Sequence, residues 1–142
     1  MKRLILLIIL LLIISGCNNE KKIKCTQNSL QEGYGLTTQD ITLYHKNNKA
    51  TNYEYKIKVS LEDNMKDYLD NFYSSIINSF ADYKNKNGIT LNNQKDKLSI
   101  TISLAINLDK INKEDNTLLH FDKEKNIEDI KKSLEIDGYI CK

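Results

Sequence analysis

The chain has 142 residues, which is one domain's worth of sequence at most. Of its 21 basic residues, Lys2 and Arg3 precede every one of the 19 acids, so everything after residue 16 sums to zero charge. No basic arm or acidic tail is left to argue for electrostatic steering, and no nucleic-acid partner is expected.

Met1-Lys2-Arg3 is a short positive segment, and Leu4 to Ile14 is an unbroken run of Leu and Ile. As a helix this run spans about 16 Å, short of the roughly 20 residues a bilayer core requires. It has the proportions of the apolar region of a secretory signal. Ile14-Ser15-Gly16-Cys17 follows directly. A branched apolar residue, a small residue, Gly and Cys form the bacterial lipobox. The Cys17 thiol would take a diacylglyceryl group, and the small residues would admit a peptidase to the bond before it. The alternative is an uncleaved anchor with an incidental Cys. The expectation is a signal peptide over 1–16, a lipidated tether over 17–22 and a folded domain over 23–142. Two acyl chains make stable attachment. The location expected is the cell membrane, lipid-anchored, on its extracytoplasmic side.

Ile23 to Thr26 reads as a short first strand, and Gln31 to Gly35 as a turn. Leu36 to Lys46 places Ile41, Leu43 and His45 on one face. Thr51 to Val59 places Tyr53, Tyr55, Ile57 and Val59 on one face, with Glu54, Lys56 and Lys58 on the other. That period of two marks half-buried strands. A three-residue loop, Asn47-Asn48-Lys49, opposes Leu43 to Tyr53 and Ile41 to Tyr55, and so keeps both apolar sets together.

A long amphipathic helix is predicted from Leu61 to about Lys84. Leu61, Met65, Tyr68, Leu69, Phe72, Tyr73, Ile76, Ile77 and Phe80 form its apolar stripe. Ser60 with Asp63 fits a variant capping box. Ile89 to Leu91 and Leu98 to Leu108 read as a second hairpin. A turn at Gln94-Lys95 would oppose Leu91 to Leu98. Asp109 to Lys125 has no clear period, with Leu118, Leu119 and Phe121 as possible docking residues. A short helix is predicted from Ile127 to Ile136, then a turn at Asp137-Gly138 and a last strand at Tyr139 to Cys141. The sum is an α+β fold: an antiparallel β-sheet with one long and one short helix packed on one face. The opposite, wet face would carry Glu54, Lys56, Lys58, Ser99, Thr101 and Ser103.

The three cysteines are an odd number for an exported chain. With Cys17 assigned to lipidation, Cys25 and Cys141 remain at the two ends of the domain, outside the reducing cytosol. A disulfide between them is expected, the alternative being two free thiols.

The residues offer little chemistry. His45 falls on an apolar face and His120 in the irregular segment, and too few N and S ligands remain for zinc. Glu62, Asp63, Asp67 and Asp70 miss the apolar stripe and read as a solvated face. No nucleophile elbow, phosphate-cradling glycine loop or calcium loop is present. No enzyme activity, metal or cofactor is expected. Tyr34, Tyr44 and Tyr83 are candidates to line a glycan- or peptide-binding surface.

Lys24-Cys25-Thr26, the hairpin Ile41 to Val59, the amphipathic helix, the hairpin Ile89 to Leu108 and the ending Gly138-Tyr139-Ile140-Cys141-Lys142 together resemble the YehR-like family of small bacterial lipoproteins. The similarity is one of pattern and runs from about Ile23 to Lys142. Relatives of that type carry an early and a penultimate Cys together, which the resemblance implies for Cys25 and Cys141 here. The family has no established activity, so the resemblance implies fold and location and no catalytic residue. The function expected is a membrane-anchored, non-enzymatic domain that binds an envelope component or serves as an accessory subunit. The alternative is a small-ligand or glycan carrier using exposed tyrosines.

Overall fold

The structure is a computed structural model that describes residues 20–112 and 125–142. The expected signal peptide and Cys17, and His120 with Leu118, Leu119 and Phe121, lie outside the described residues. The strands are β1 (Lys21–Gln31), β2 (Gly35–Lys46), β3 (Lys49–Leu61), β4 (Ile89–Lys95), β5 (Ser99–Asn107) and β6 (Ile140–Cys141). They form a six-stranded sheet in the order β4-β5-β3-β2-β1-β6. Every pairing is antiparallel. Between β3 and β4 lie a 3-10 helix (Asp63–Tyr68), helix α1 (Leu69–Ser79) and a short 3-10 turn (Ala81–Tyr83); helix α2 (Ile127–Ile136) precedes β6.

Alternation along the strands sends Cys25, Ile41, Leu43, Tyr53, Val59, Ile100, Ile102, Leu104 and Ile106 to one face, where all are buried. Both helices cover that face. α1 supplies Leu69, Phe72, Ile76 and Ile77 to a cluster with Val59, Leu61, Ile100 and Ile102. α2 supplies Ile127, Ile130 and Leu134 to a cluster with Cys25, Ile41, Leu43 and Tyr53. Each such side chain contributes about 1.5–3 kcal/mol by leaving water. The fold class is the α+β arrangement expected.

Several details differ from the sequence reading. β1 begins at Lys21, so Lys21 and Lys22 pair with His45 and Tyr44 and do not serve as tether. The β2–β3 register is as expected, with Leu43 opposite Tyr53 and Ile41 opposite Tyr55. It is reached by another route. The loop is only Asn47-Asn48, both with positive φ (50° and 66°), as a tight hairpin turn demands. The odd residue is taken up at Thr51, because Tyr44 opposes Asn52 while His45 opposes Ala50.

The predicted long helix is shorter at its start. Ser60 and Leu61 stay in the sheet, where Ser60 opposes Ser99 and the Leu61 N–H donates to the Leu98 carbonyl at 2.8 Å. Ser60 therefore caps nothing, and Glu62, the cap residue, makes no side-chain bond. From Asp63 the only apolar positions before Leu69 are Met65 and Tyr68, three apart, which suits a 3-10 turn. The α-helix itself runs only from Leu69 to Ser79, although Leu61, Met65 and Leu69 already stand four apart.

The second hairpin is offset by six residues from the expectation. Leu91 opposes Leu104 and Ile89 opposes Ile106. The turn falls at Lys97-Leu98, closed by the Asp96 N–H on the Ser99 carbonyl at 2.8 Å. A slip by an even number keeps the apolar faces matched, so alternation does not distinguish the two registers. The observed one pairs β4 along its whole length.

Candidate functional site

The C-terminal segment is placed by a capped helix end. Past α2, Gly138 takes φ of 92°. The Tyr139 N–H then donates to the Leu134 carbonyl at 2.9 Å and the Gly138 N–H to the Glu135 carbonyl at 3.2 Å. This Schellman motif reverses the chain and lays β6 along β1. Cys25 and Cys141 are directly opposed there. The structure bonds them, with Cα atoms 4.0 Å apart and 116 residues between them in sequence. The neighbouring pair, Lys24 and Lys142, exchanges both backbone hydrogen bonds. The cysteines therefore occupy a non-hydrogen-bonded position, where facing Cα atoms come closest.

Beside the bridge, Gln39 collects two phenols. The Tyr55 hydroxyl donates to its Oε1 at 2.8 Å and the Tyr139 hydroxyl at 2.9 Å. The Gln27 amide donates to the Asp137 carbonyl at 2.8 Å. Burial pushes the Tyr55 phenol up to about 12, with the phenols of Tyr139 and Tyr83 adding to it. Tyr139 is raised chiefly by burial and then by Asp137. Burial also raises Tyr53 far above the usual range. Through Gln39, Tyr55 and Tyr139 tie the segment after α2 to the sheet.

The helix-free face of the sheet is polar. One row across it reads Thr26, Asp40, Lys56, Ser103, Asn92, and the next Asn28, Thr38, Lys58, Thr101, Gln94. Thr26 donates to Asp40 at 2.6 Å, and Lys24 lies 3.5 Å from the same carboxylate. The large aliphatic side chains of this face include Leu30, which opposes Leu36, and Ile140, which lies next to Thr26.

The three tyrosines singled out from the sequence do not share a surface. Tyr44 lines a cleft of about 460 Å³ with Glu20, Asn52 and Glu54, and its phenol is raised first by partial burial and then by Glu54. Tyr83 packs against the core with Phe80, their rings 6.0 Å apart. Tyr34 lines a different, apolar cleft of about 650 Å³ with Met65, Tyr68, Asn71, Phe72 and Ile76. Tyr68, expected in the core stripe, is 56% exposed there. His45 is half-buried on β2 and lines none of these clefts. Asp70 of the predicted acidic face pairs with Lys95. Among the described residues no group of three His, Cys, Asp or Glu side chains is arranged to hold a metal ion. No described helix is long and apolar enough to cross a membrane.

The Tyr34 cleft is made by two segments far apart in sequence. Gly35 holds the β1–β2 tip against β3: its φ is 136°, and a Cβ there would strike the Ser60 carbonyl oxygen. The Glu62 N–H then donates to the Tyr34 carbonyl at 3.1 Å, and the Asn64 amide to the Gly33 carbonyl at 3.5 Å. The tip is thus fastened to the start of the 3-10 helix, and Tyr34, Tyr68 and Phe72 line the opening together.

No protein-family model matches the chain, and no curated protein matches it. Among solved structures, the NMR structure of a protein from Streptococcus pneumoniae TIGR4 is similar, with a TM-score of 0.61 and 10% identity over 89% of this chain and 87% of that one. At that identity the likeness concerns the fold alone.

Proposed function

We propose that the chain is a membrane-anchored bacterial lipoprotein, akin to the YehR-like family, whose folded domain is a non-enzymatic binding or accessory module of the cell envelope. One observation carries this reading: four of the six large apolar side chains that stand exposed among the described residues gather far from where the chain enters the fold, while Ile136 and Ile140 stand apart from them. Leu30, Tyr34, Leu36 and Tyr68 are 76%, 46%, 40% and 56% exposed, all at the β1–β2 end. The chain enters at the other end, where Thr51 and Asn52 donate to Glu20. β1 has 11 residues, so these ends stand about 35 Å apart. With Cys17 in the bilayer, the polar flanks shield the sheet and the apolar tip points into the envelope. Apolar side chains held so far from the core serve contact rather than folding.

The test is site-specific photocrosslinking in the native envelope. A photoreactive residue at Leu36 is expected to give a discrete protein adduct, and one at Ile136, also exposed but on α2, to give none. Equal adducts from both sites, or none from Leu36, would remove the reading. Fatty-acid labelling is expected in the wild type and absent in Cys17→Ser; equal labelling would remove the anchor.

A further inference from the structure

We infer that the cleft between Tyr34 and the start of α1 receives an apolar segment with basic flanks, contributed by a protein partner. This deepens the accessory-module reading and rests on it. The cleft, about 650 Å³, is of a size that holds one or two large side chains, and its lining is mainly apolar: Tyr34, Met65, Tyr68, Phe72 and Ile76. Asn71 and Ser75 are its polar side chains. Two exposed aromatics frame the mouth, the arrangement that anchors a partner's side chain with little loss of rotamer freedom.

The charges that adjoin its lining in sequence are mostly acidic, with Lys66 the exception. Glu32 adjoins Gly33 at the tip, Glu62 is bonded through its N–H to the Tyr34 carbonyl, and Asp67 stands one turn before Asn71. All three are exposed. Lys95 is engaged with Asp70 and stacks over the Tyr73 ring at 5.4 Å. Lys66 lies between Met65 and Asp67, and the four acids Glu32, Glu62, Asp63 and Asp67 outnumber it. An apolar segment with Lys or Arg on either side is thus favoured over one with acidic flanks, and over a bare acyl chain, which leaves the acids unused.

The sequence provides a local probe, since its 2 methionines are Met1 and Met65, and Met65 lines the cleft. The full chain, labelled with methyl-¹³C methionine and placed in phospholipid nanodiscs, is titrated with an octapeptide of central Leu-Phe and flanking lysines. The Met65 methyl signal is expected to shift saturably. The same peptide with glutamate flanks is expected to bind at least about tenfold more weakly, as is the lysine peptide to an E32K/D67K variant, about 1.4 kcal/mol in each case. Tyr68→Ala, an exposed change that spares the core, is expected to abolish the shift. Equal responses to both peptides, no response up to millimolar peptide, or a Met65 signal already shifted by the bilayer alone would overturn the inference. A silent Met65 with the Leu36 adduct intact removes only the chemistry assigned to the cleft. A missing adduct with a responsive Met65 removes the accessory reading on which it rests.

Discussion

Replacing Cys141 with Ser separates two roles of the bridge. In the chain-entropy model, closing a loop across a separation of 116 residues removes about 5 kcal/mol of denatured-state freedom. Measured losses in small exported domains run about 2–5 kcal/mol. That is a large share of the ~5–15 kcal/mol such a domain holds in total. The structure also says where the loss falls. β6 has only 2 residues and, besides the bridge, is held by its ladder with β1 and by Tyr139 on Gln39. α2 is held independently by Ile127, Ile130 and Leu134, which are 0%, 3% and 5% exposed. Cys141→Ser is therefore expected to lower urea stability by about 2–5 kcal/mol. Amide exchange at Lys24 and Lys142 should accelerate to near the unprotected rate, while Ile130 and Leu134 keep protection up to the new global limit. A loss below about 1 kcal/mol, or α2 opening together with β6, would refute this. So would free alkylation of both thiols in protein purified without reductant.

Leu134→Ala is expected to cost about 2–5 kcal/mol in equilibrium unfolding, because it empties part of the cluster under α2. Ile136→Ala, on the same helix but 85% exposed, should change stability by no more than about 0.5 kcal/mol. Gly35→Ala should cost about 3 kcal/mol or more, since φ of 136° and the Ser60 carbonyl both oppose a Cβ. A ¹³C or ¹⁵N spectrum should show the change centred on Ser60, Leu61 and Tyr34, and a cost under about 1 kcal/mol would contradict that packing. The Tyr55 phenol is raised to about 12 by burial, then by the phenols of Tyr139 and Tyr83. Its ordinary value of about 10 holds in the unfolded chain, so the folded chain keeps the proton longer. Stability is expected to be full below about pH 10 and to fall as pH rises from about 10 to about 12, less steeply in Tyr55→Phe. A fall already under way below about pH 9 would show that these phenols are not what limits the fold in base.

What the sequence by itself determines here is local and periodic. Alternation in Ile41–Val59 and Leu98–Leu108 identifies the strands and their buried faces, because a pleated strand sends every second side chain to one side. The run Ile127–Ile136, with Asn126 before it and Gly138 after it, marks α2 at both ends through capping chemistry that reaches only a few residues. Cys25 and Cys141 are the expected pair once Cys17 is set aside for lipidation, and only the fold brings them together. Tertiary structure decides whatever depends on competition between registers or on distant segments. The β4–β5 offset preserves every face, so only the length of ladder formed distinguishes it from the expected one. Ser60 and Leu61 carry helix-start signals, yet β5 and β2 lie beside them and claim their hydrogen bonds. Tyr68 fits the stripe of an ideal helix, but the 3-10 turn rotates it outward, toward Tyr34. That meeting makes the cleft, and no spacing in the sequence announces it, because 33 intervening residues must first fold β2 and β3 back on each other.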